Sequence, residues 1–117
     1  MYESNLKNLL SKHEIIYCVV THLDKGAMET FGNKEELEYQ GLIQTNFYDI
    51  DNVYSLNNSL EGQELPKLFR QGKVACIIFK PTNSVIVGMF YHEKRDFREY
   101  CNWSKELNEE VKLLWKE

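Results

Sequence analysis

The stretch Val74-Ala-Cys-Ile-Ile-Phe79, followed after the turn residues Pro81-Thr-Asn-Ser84 by the apolar run Val85 to Tyr91, decides the fold of this chain. Both runs are continuously apolar and rich in β-branched residues, which is typical of strands that are covered on both faces. Because the turn between them is short, the two strands must pair antiparallel. A third such run, Ile15–Val20, predicts another buried strand of the same sheet.

Two shorter strands are predicted beside these three. The turn Leu23-Asp-Lys-Gly26 precedes a short strand from Ala27 to Phe31. The segment Leu65–Gln71 contains Pro66, which lacks a ladder donor and therefore suits an edge position. The sequence thus predicts a five-stranded antiparallel sheet.

Three segments have helical periodicity. Residues 2–13 predict a short helix with one apolar face. Asn33 and Glu36 resemble a capping box, which predicts the start of one long middle helix that ends before Asn57-Asn58. Its predicted buried stripe is Tyr39, Ile43, Phe47, Ile50 and Tyr54.

The last helix is predicted to start after Asp96, which is a suitable cap. Its predicted core stripe is Phe97, Tyr100, Cys101, Ser104, Leu107, Val111, Leu114 and Trp115. The element order is therefore αββαβββα over a single domain, residues 1–117, of α+β class. We expect an α-β-α sandwich with the middle helix on one face of the sheet and the terminal helices on the other.

Composition excludes several classes of function. The net charge is −4 and the first half of the chain is acidic, which disfavours nucleic acid as a partner. A short basic strip, Lys67, Arg70, Lys73 and Lys80, is typical of solvated strand edges. The N-terminal stretch lacks the pattern of a secretory signal, and no apolar run is long enough to span a bilayer. We expect a cytoplasmic protein without membrane insertion.

The residues indicate no catalytic, metal or cofactor site. Neither GxxxxGK[ST] nor GxGxxG occurs, and the three histidines lack the spacing of metal ligands. Cys18, Cys76 and Cys101 are interpreted as reduced core residues. A nucleophilic dyad of Cys76 with His22 or His92 across strands is the remaining catalytic alternative. We expect a protein that is not an enzyme.

A second, smaller apolar face of the predicted middle helix is the candidate binding site. Leu37, Gly41 and Tyr48 lie almost opposite the core stripe, and Gly41 would permit close approach of another backbone. The alternative interpretation is incidental exposed apolar area. If the face is functional, Leu68 and Arg70 on the neighbouring edge strand complete a surface for sheet extension by a second subunit.

The chain resembles the roadblock family of dynein light chain-like proteins in its size and element order. The features that carry the resemblance are the hairpin Ile15–Phe31 with Asp24-Lys25-Gly26 at its turn, the long helix from Glu35 on, and the strands Val74–Phe79 and Val85–Tyr91. The resemblance implies a non-catalytic homodimer that forms through the middle helices and the adjoining edge strands and joins two sheets into one. It also implies a role in binding or regulating a small GTPase, or as an adaptor in a larger assembly; we expect no cofactor. Two other classes stay open: a PAS- or GAF-like sensor with a small ligand, and a small immunity-type protein that inhibits a basic partner.

Overall fold

A computed structural model describes residues 2–115; Met1, Lys116 and Glu117, which the predicted domain 1–117 includes, lie outside the described residues. The helices are α1 (Tyr2–Lys12), α2 (Gly41–Asn46), α3 (Ile50–Leu60) and α4 (Phe97–Leu114). The strands are β1 (Tyr17–His22), β2 (Ala27–Gly32), β3 (Lys67–Gln71), β4 (Val74–Thr82) and β5 (Val85–His92). No helix within residues 2–115 is both long and apolar enough to cross a membrane.

The predicted five-stranded antiparallel sheet is confirmed. Its strand order is β2-β1-β5-β4-β3, and every neighbouring pair is antiparallel. The two apolar runs that decide the fold form the adjacent strands β4 and β5, and β1 lies beside β5. The short strands β2 and β3 are the two edges, as the sequence indicates.

Each face of the sheet is covered by a helical layer, which confirms the predicted sandwich. On one face, α1 and α4 pack on alternate strand residues such as Cys18, Ile77 and Met89. On the other face, α2 and α3 pack on the intervening residues, such as Val19 and Ile78. Because both faces are buried, only the edges of the sheet leave backbone groups without a strand partner.

The prediction of a single long middle helix is wrong. A short 3₁₀ turn, Lys34–Glu36, is followed by an extended segment, and the two separate helices α2 and α3 come after it. α3 also continues through Asn57-Asn58 to Leu60, beyond the predicted end. Of the predicted stripe, Ile43 and Phe47 are buried and Ile50 is half-buried, whereas Tyr39 and Tyr54 are exposed.

Specific polar contacts break this helix. Asp49 caps α3 by accepting a hydrogen bond from the Asn52 N–H at 2.8 Å, and the Asn52 side chain accepts one from the Tyr48 N–H at 3.0 Å. Such side-chain bonds compete with helical backbone bonds. Upstream, Glu38 donates its N–H to His92 Nε2 at 3.1 Å and pairs with Lys73, which holds the segment extended against the sheet.

The predicted α4 stripe is wrong at its first residue, Phe97, and it omits the buried Trp103. Asp96 and Glu99 form a complete capping box, so the predicted cap is confirmed. Phe97, however, is 80% exposed, whereas Trp103 is buried against the ring of Tyr91 at a centroid distance of 5.0 Å. The first turn of α4 therefore extends beyond the sheet, and the burial of α4 begins one turn later than the sequence indicates.

Candidate interaction surface

The backbone of β3 is directed outward at two residues. The Glu93 N–H donates to the Lys73 carbonyl at 2.8 Å, in register with the β4–β5 ladder. Peptide groups alternate in direction along a strand, so the ladder register turns these residues of β3 toward β4: Lys67, Phe69 and Gln71. Leu68 and Arg70 therefore direct their N–H and C=O groups away from the sheet, at the open edge.

The side chains of β3 lie on opposite faces. Leu68 packs with the α1–α4 core, whereas Phe69 packs with the α2–α3 core. The Arg70 guanidinium donates to the Gly72 carbonyl of its own hairpin at 3.0 Å, and the Lys67 ammonium lies 5.4 Å from the centre of the Phe69 ring. The edge thus carries two charged residues, each of which makes a contact within its own strand or turn.

The predicted helical face of Leu37, Gly41 and Tyr48 is not one face, because the helix is broken. Leu37 is buried in the extended segment before α2, with 5% exposure. Gly41 begins α2 beside β3, where an added Cβ would lie 2.7 Å from the Gln71 side-chain oxygen. Tyr48 follows α2 and is 74% exposed. The structure brings Gly41, but not Tyr48, close to β3.

The exposure of Tyr39 and Tyr54 on the α2–α3 side is the feature that sequence reasoning missed, whereas Tyr48 lay on the predicted outer face. Tyr39, Tyr48 and Tyr54 are all exposed, although the helical period predicted that Tyr39 and Tyr54 would be buried. Tyr54 donates its hydroxyl to the Leu23 carbonyl at 2.6 Å, and the Tyr39 ring lies against Gly72. Amphipathic rings held in this way are typical of protein interfaces. The polar residues Asp49 and Asn52 were the available signal that the period is interrupted.

The three histidines have separate partners. The Trp103 Nε1–H donates to His13 Nδ1 at 2.9 Å, so the proton of a neutral His13 ring is on Nε2, which lies 3.0 Å from Glu110. His22 Nε2 lies 2.6 Å from a carboxylate oxygen of Glu29 on β2. His92 Nε2 accepts the Glu38 N–H. Among residues 2–115 no group of His, Cys, Asp and Glu could hold a metal ion.

Two of the three cysteines are held as thiols in the core, whereas Cys101 is half-buried. Cys18 and Cys76 are fully buried, and burial raises the pKa of both thiols far above the ordinary value. Cys76 packs with the α2–α3 core, whereas His22 contacts Tyr2 of α1 on the opposite face. The proposed pairing of Cys76 with His22 is therefore wrong. His92 shares the face of Cys76, but the Glu38 backbone occupies its Nε2.

Comparison with known proteins identifies the fold. No protein-family model matches the chain, and no curated protein matches its sequence. Among solved structures, MglB of Myxococcus xanthus is 11% identical, with a TM-score of 0.59 over 92% of this chain and 89% of that one. MglC of the same organism is 14% identical, with a TM-score of 0.59 over 97% and 98%.

The gliding protein MglB from Thermus thermophilus is also similar: it is 9% identical, with a TM-score of 0.57 over 97% of this chain and 87% of that one. All three have the roadblock fold, so the predicted resemblance is confirmed at the level of the fold. This chain is a five-stranded α+β sandwich with the roadblock fold.

Replacing Glu29 by Gln should lower the melting temperature near neutral pH but not in acid. Hydrogen bonds from Tyr2, and then from His22, hold the pKa of Glu29 below its ordinary range. A carboxylate of this kind stabilises the fold above the unfolded-state pKa, about 4.3, and this contribution is lost as the pH falls through the lower folded-state pKa.

Melting curves of wild type and Glu29→Gln over about pH 3 to 7 measure this effect. Glu61→Gln is the matched control, because Glu61 is exposed and its replacement changes the net charge equally. If Glu29→Gln lowered the melting temperature as much at the lowest pH as at neutral pH, the lowered pKa of Glu29 would not be the cause of the effect.

Proposed function

We propose that this chain is a non-catalytic interaction module that forms a homodimer through β3 and binds a protein partner with its α2–α3 layer. The observation that carries the proposal is the open β3 edge, at which Leu68 and Arg70 direct unpaired peptide groups outward. The roadblock fold of MglB and MglC supports it. The family resemblance implies that the partner is a small GTPase, which this chain would regulate or hold in a larger assembly.

Antiparallel pairing of two β3 strands about a two-fold axis at Phe69 fits the sequence. It sets Leu68 opposite Arg70 of the second copy, so that each outward peptide group donates and accepts one hydrogen bond. Lys67 then lies opposite Gln71, and no two like charges face each other. The partly buried Phe69 meets its own copy on the α2–α3 side.

Such a dimer would join two α2–α3 layers on the same face of one continuous sheet. Gly41 and the exposed Tyr39 ring lie at the β3 end of this layer, whereas the exposed rings of Tyr48 and Tyr54 lie toward its β2 end. Tyrosine supplies a large contact area with little conformational entropy to lose, which favours protein partners. The α2–α3 side of the dimer is therefore the proposed partner surface. The proposed location of the protein and its partners is the cytoplasm.

The sensor alternative is less well supported. In PAS- and GAF-like domains the ligand lies between the sheet and the helices. Here the Phe47 ring packs edge-on against Phe90 at a centroid distance of 5.8 Å, and it lies against the backbone of Gly88 in the central strand β5. These side chains occupy the space that such a ligand would need.

Phe69→Cys, made in a Cys101→Ser background, should form a disulfide-linked dimer under mild oxidation. In the proposed pairing, residue 69 faces its own copy in a non-hydrogen-bonded pair, whose Cα atoms are about 4.5 Å apart. This separation is within disulfide range. Non-reducing electrophoresis reports the linked species, and sedimentation of the wild type reports the dimer without any cross-link.

Leu68→Cys in the same background is the matched control. Residue 68 faces residue 70 of the second copy, so its own copy lies a further two residues along the strand and beyond disulfide reach. A monomeric wild type would overturn the proposed dimer. Equal cross-linking of both variants would overturn the proposed pairing.

Tyr48→Ala should weaken binding to a small GTPase of the source organism by about tenfold or more, because truncation of a tyrosine that packs against a partner has this effect. The GTPase is loaded with GDP or with a non-hydrolysable GTP analogue and titrated by calorimetry. Phe97→Ala is the control, since Phe97 is a similarly exposed aromatic residue at the start of α4, on the other helical layer. Equal losses in both variants, or no binding in either nucleotide state, would contradict this partner class.

A further inference from the structure

The second open edge of the sheet, β2, directs peptide groups of its own outward. The Asn33 N–H donates to the Ile16 carbonyl at 3.3 Å, in the register of the β1–β2 ladder. Alternation along the strand then turns Phe31 and Glu29 toward β1, whereas Met28, Thr30 and Gly32 direct their N–H and C=O groups to the open side. A strand from another chain can therefore pair with β2 without disturbing any hydrogen bond of the β1–β2 ladder.

Two cavities flank the open edge of β2 around Thr30, one on each face of the sheet. The α1-side cavity has a volume of about 490 Å³ and lies between the end of α1 and β2, over Leu10, Ile15 and Phe31. The α2-side cavity has a volume of about 380 Å³ and lies between α2 and β2, over apolar groups that include Met28. Thr30 lines both cavities, so they meet at the strand edge.

This arrangement matches the side-chain alternation of an extended peptide. Successive side chains of a strand point to opposite faces. A peptide paired with Met28, Thr30 and Gly32 would therefore place one set of its side chains over the α1-side cavity and the other set over the α2-side cavity. Gly32 has a φ of +87°, and an added Cβ would clash with the Ile16 carbonyl, so no larger residue fits at this position of the edge.

The charges at the cavities indicate the chemistry of the peptide. Lys7 is the one charged residue that lines the α1-side cavity, and Lys34 is the one that lines the α2-side cavity; no acidic side chain of residues 2–115 lines either of them. The ammonium groups favour acidic side chains on the peptide, and the apolar floors favour aliphatic or aromatic ones.

The edge is also fixed in position before any peptide binds. On the α1 side, the Glu29 carboxylate accepts a hydrogen bond from the Tyr2 hydroxyl and lies 2.6 Å from His22 Nε2. The turn before β2 is held by the Tyr54 hydroxyl, which donates to the Leu23 carbonyl at 2.6 Å. A strand that is held at its centre and at the turn before it loses little conformational entropy when it pairs.

We propose that β2 is a docking edge for an extended segment of a partner protein, which adds a sixth strand and carries alternating apolar side chains with acidic residues beside them. A second copy of this chain fits less well. Because Lys7 and Lys34 line the two cavities and no acidic residue within 2–115 does, an acidic segment complements this edge better than a second copy of the edge would. This edge is opposite to β3, so the proposal is independent of the dimer.

Thr30→Pro and Thr30→Ala are the matched test pair. Proline removes the outward N–H of residue 30, which the β1 ladder does not use, and proline is tolerated at such edge positions. Alanine keeps the N–H and removes the same hydroxyl. The probe is a displayed library of linear peptides of about eight residues, which is selected on the wild type.

Selected peptides should alternate apolar residues and contain acidic ones. Thr30→Pro should weaken their binding by about tenfold or more, and Thr30→Ala by about threefold or less. Amide shifts of the wild type should concentrate at Met28, Thr30 and Gly32, which tests the edge even if Thr30→Pro fails to fold. Failure to select any binder, shifts at β3 instead, or equal affinities of the two variants would overturn the proposal.

Discussion

A sheet that is buried on both faces can interact with other chains only through its two edges or through the helical layers that cover it. Backbone donors and acceptors must be paired or solvated. β1, β4 and β5 are paired on both sides, whereas β2 and β3 are paired on one side. The outward peptide groups at these edges, Leu68 and Arg70 on β3 and Thr30 on β2, are therefore where another strand can add.

The break between α2 and α3 determines which aromatic side chains of this helical layer are exposed. Asp49 starts a new helix at a point where one continuous helix would have kept the apolar period. As a consequence, Tyr48 lies outside both helices, and Tyr54 reaches the turn before β2 instead of the core. The local preference of Asp and Asn for capping bonds thus exchanges buried apolar area for an exposed aromatic surface.

Sequence reasoning predicted the sheet because its strands are encoded locally. The continuous runs Val74–Phe79 and Val85–Tyr91 and the short turn between them leave few other arrangements. Edge positions followed from Pro66 and from strand length. The broken helix depends on contacts that are distant in sequence, such as those of Glu38 with Lys73 and His92, and periodicity does not register them. Of the predicted interface residues, Leu68 and Arg70 have the predicted unpaired backbone, whereas Leu37 is buried within the subunit.

Amide hydrogen exchange of β3, followed as a function of protein concentration, tests the account most directly. The Phe69 N–H is directed at β4, whereas the N–H groups of Leu68 and Arg70 are directed at the open edge. If two copies pair through β3, Leu68 and Arg70 gain protection as the concentration rises through the dimerisation range, and Phe69 is protected throughout. Rapid exchange of Leu68 and Arg70 at every concentration would contradict the proposed use of this edge.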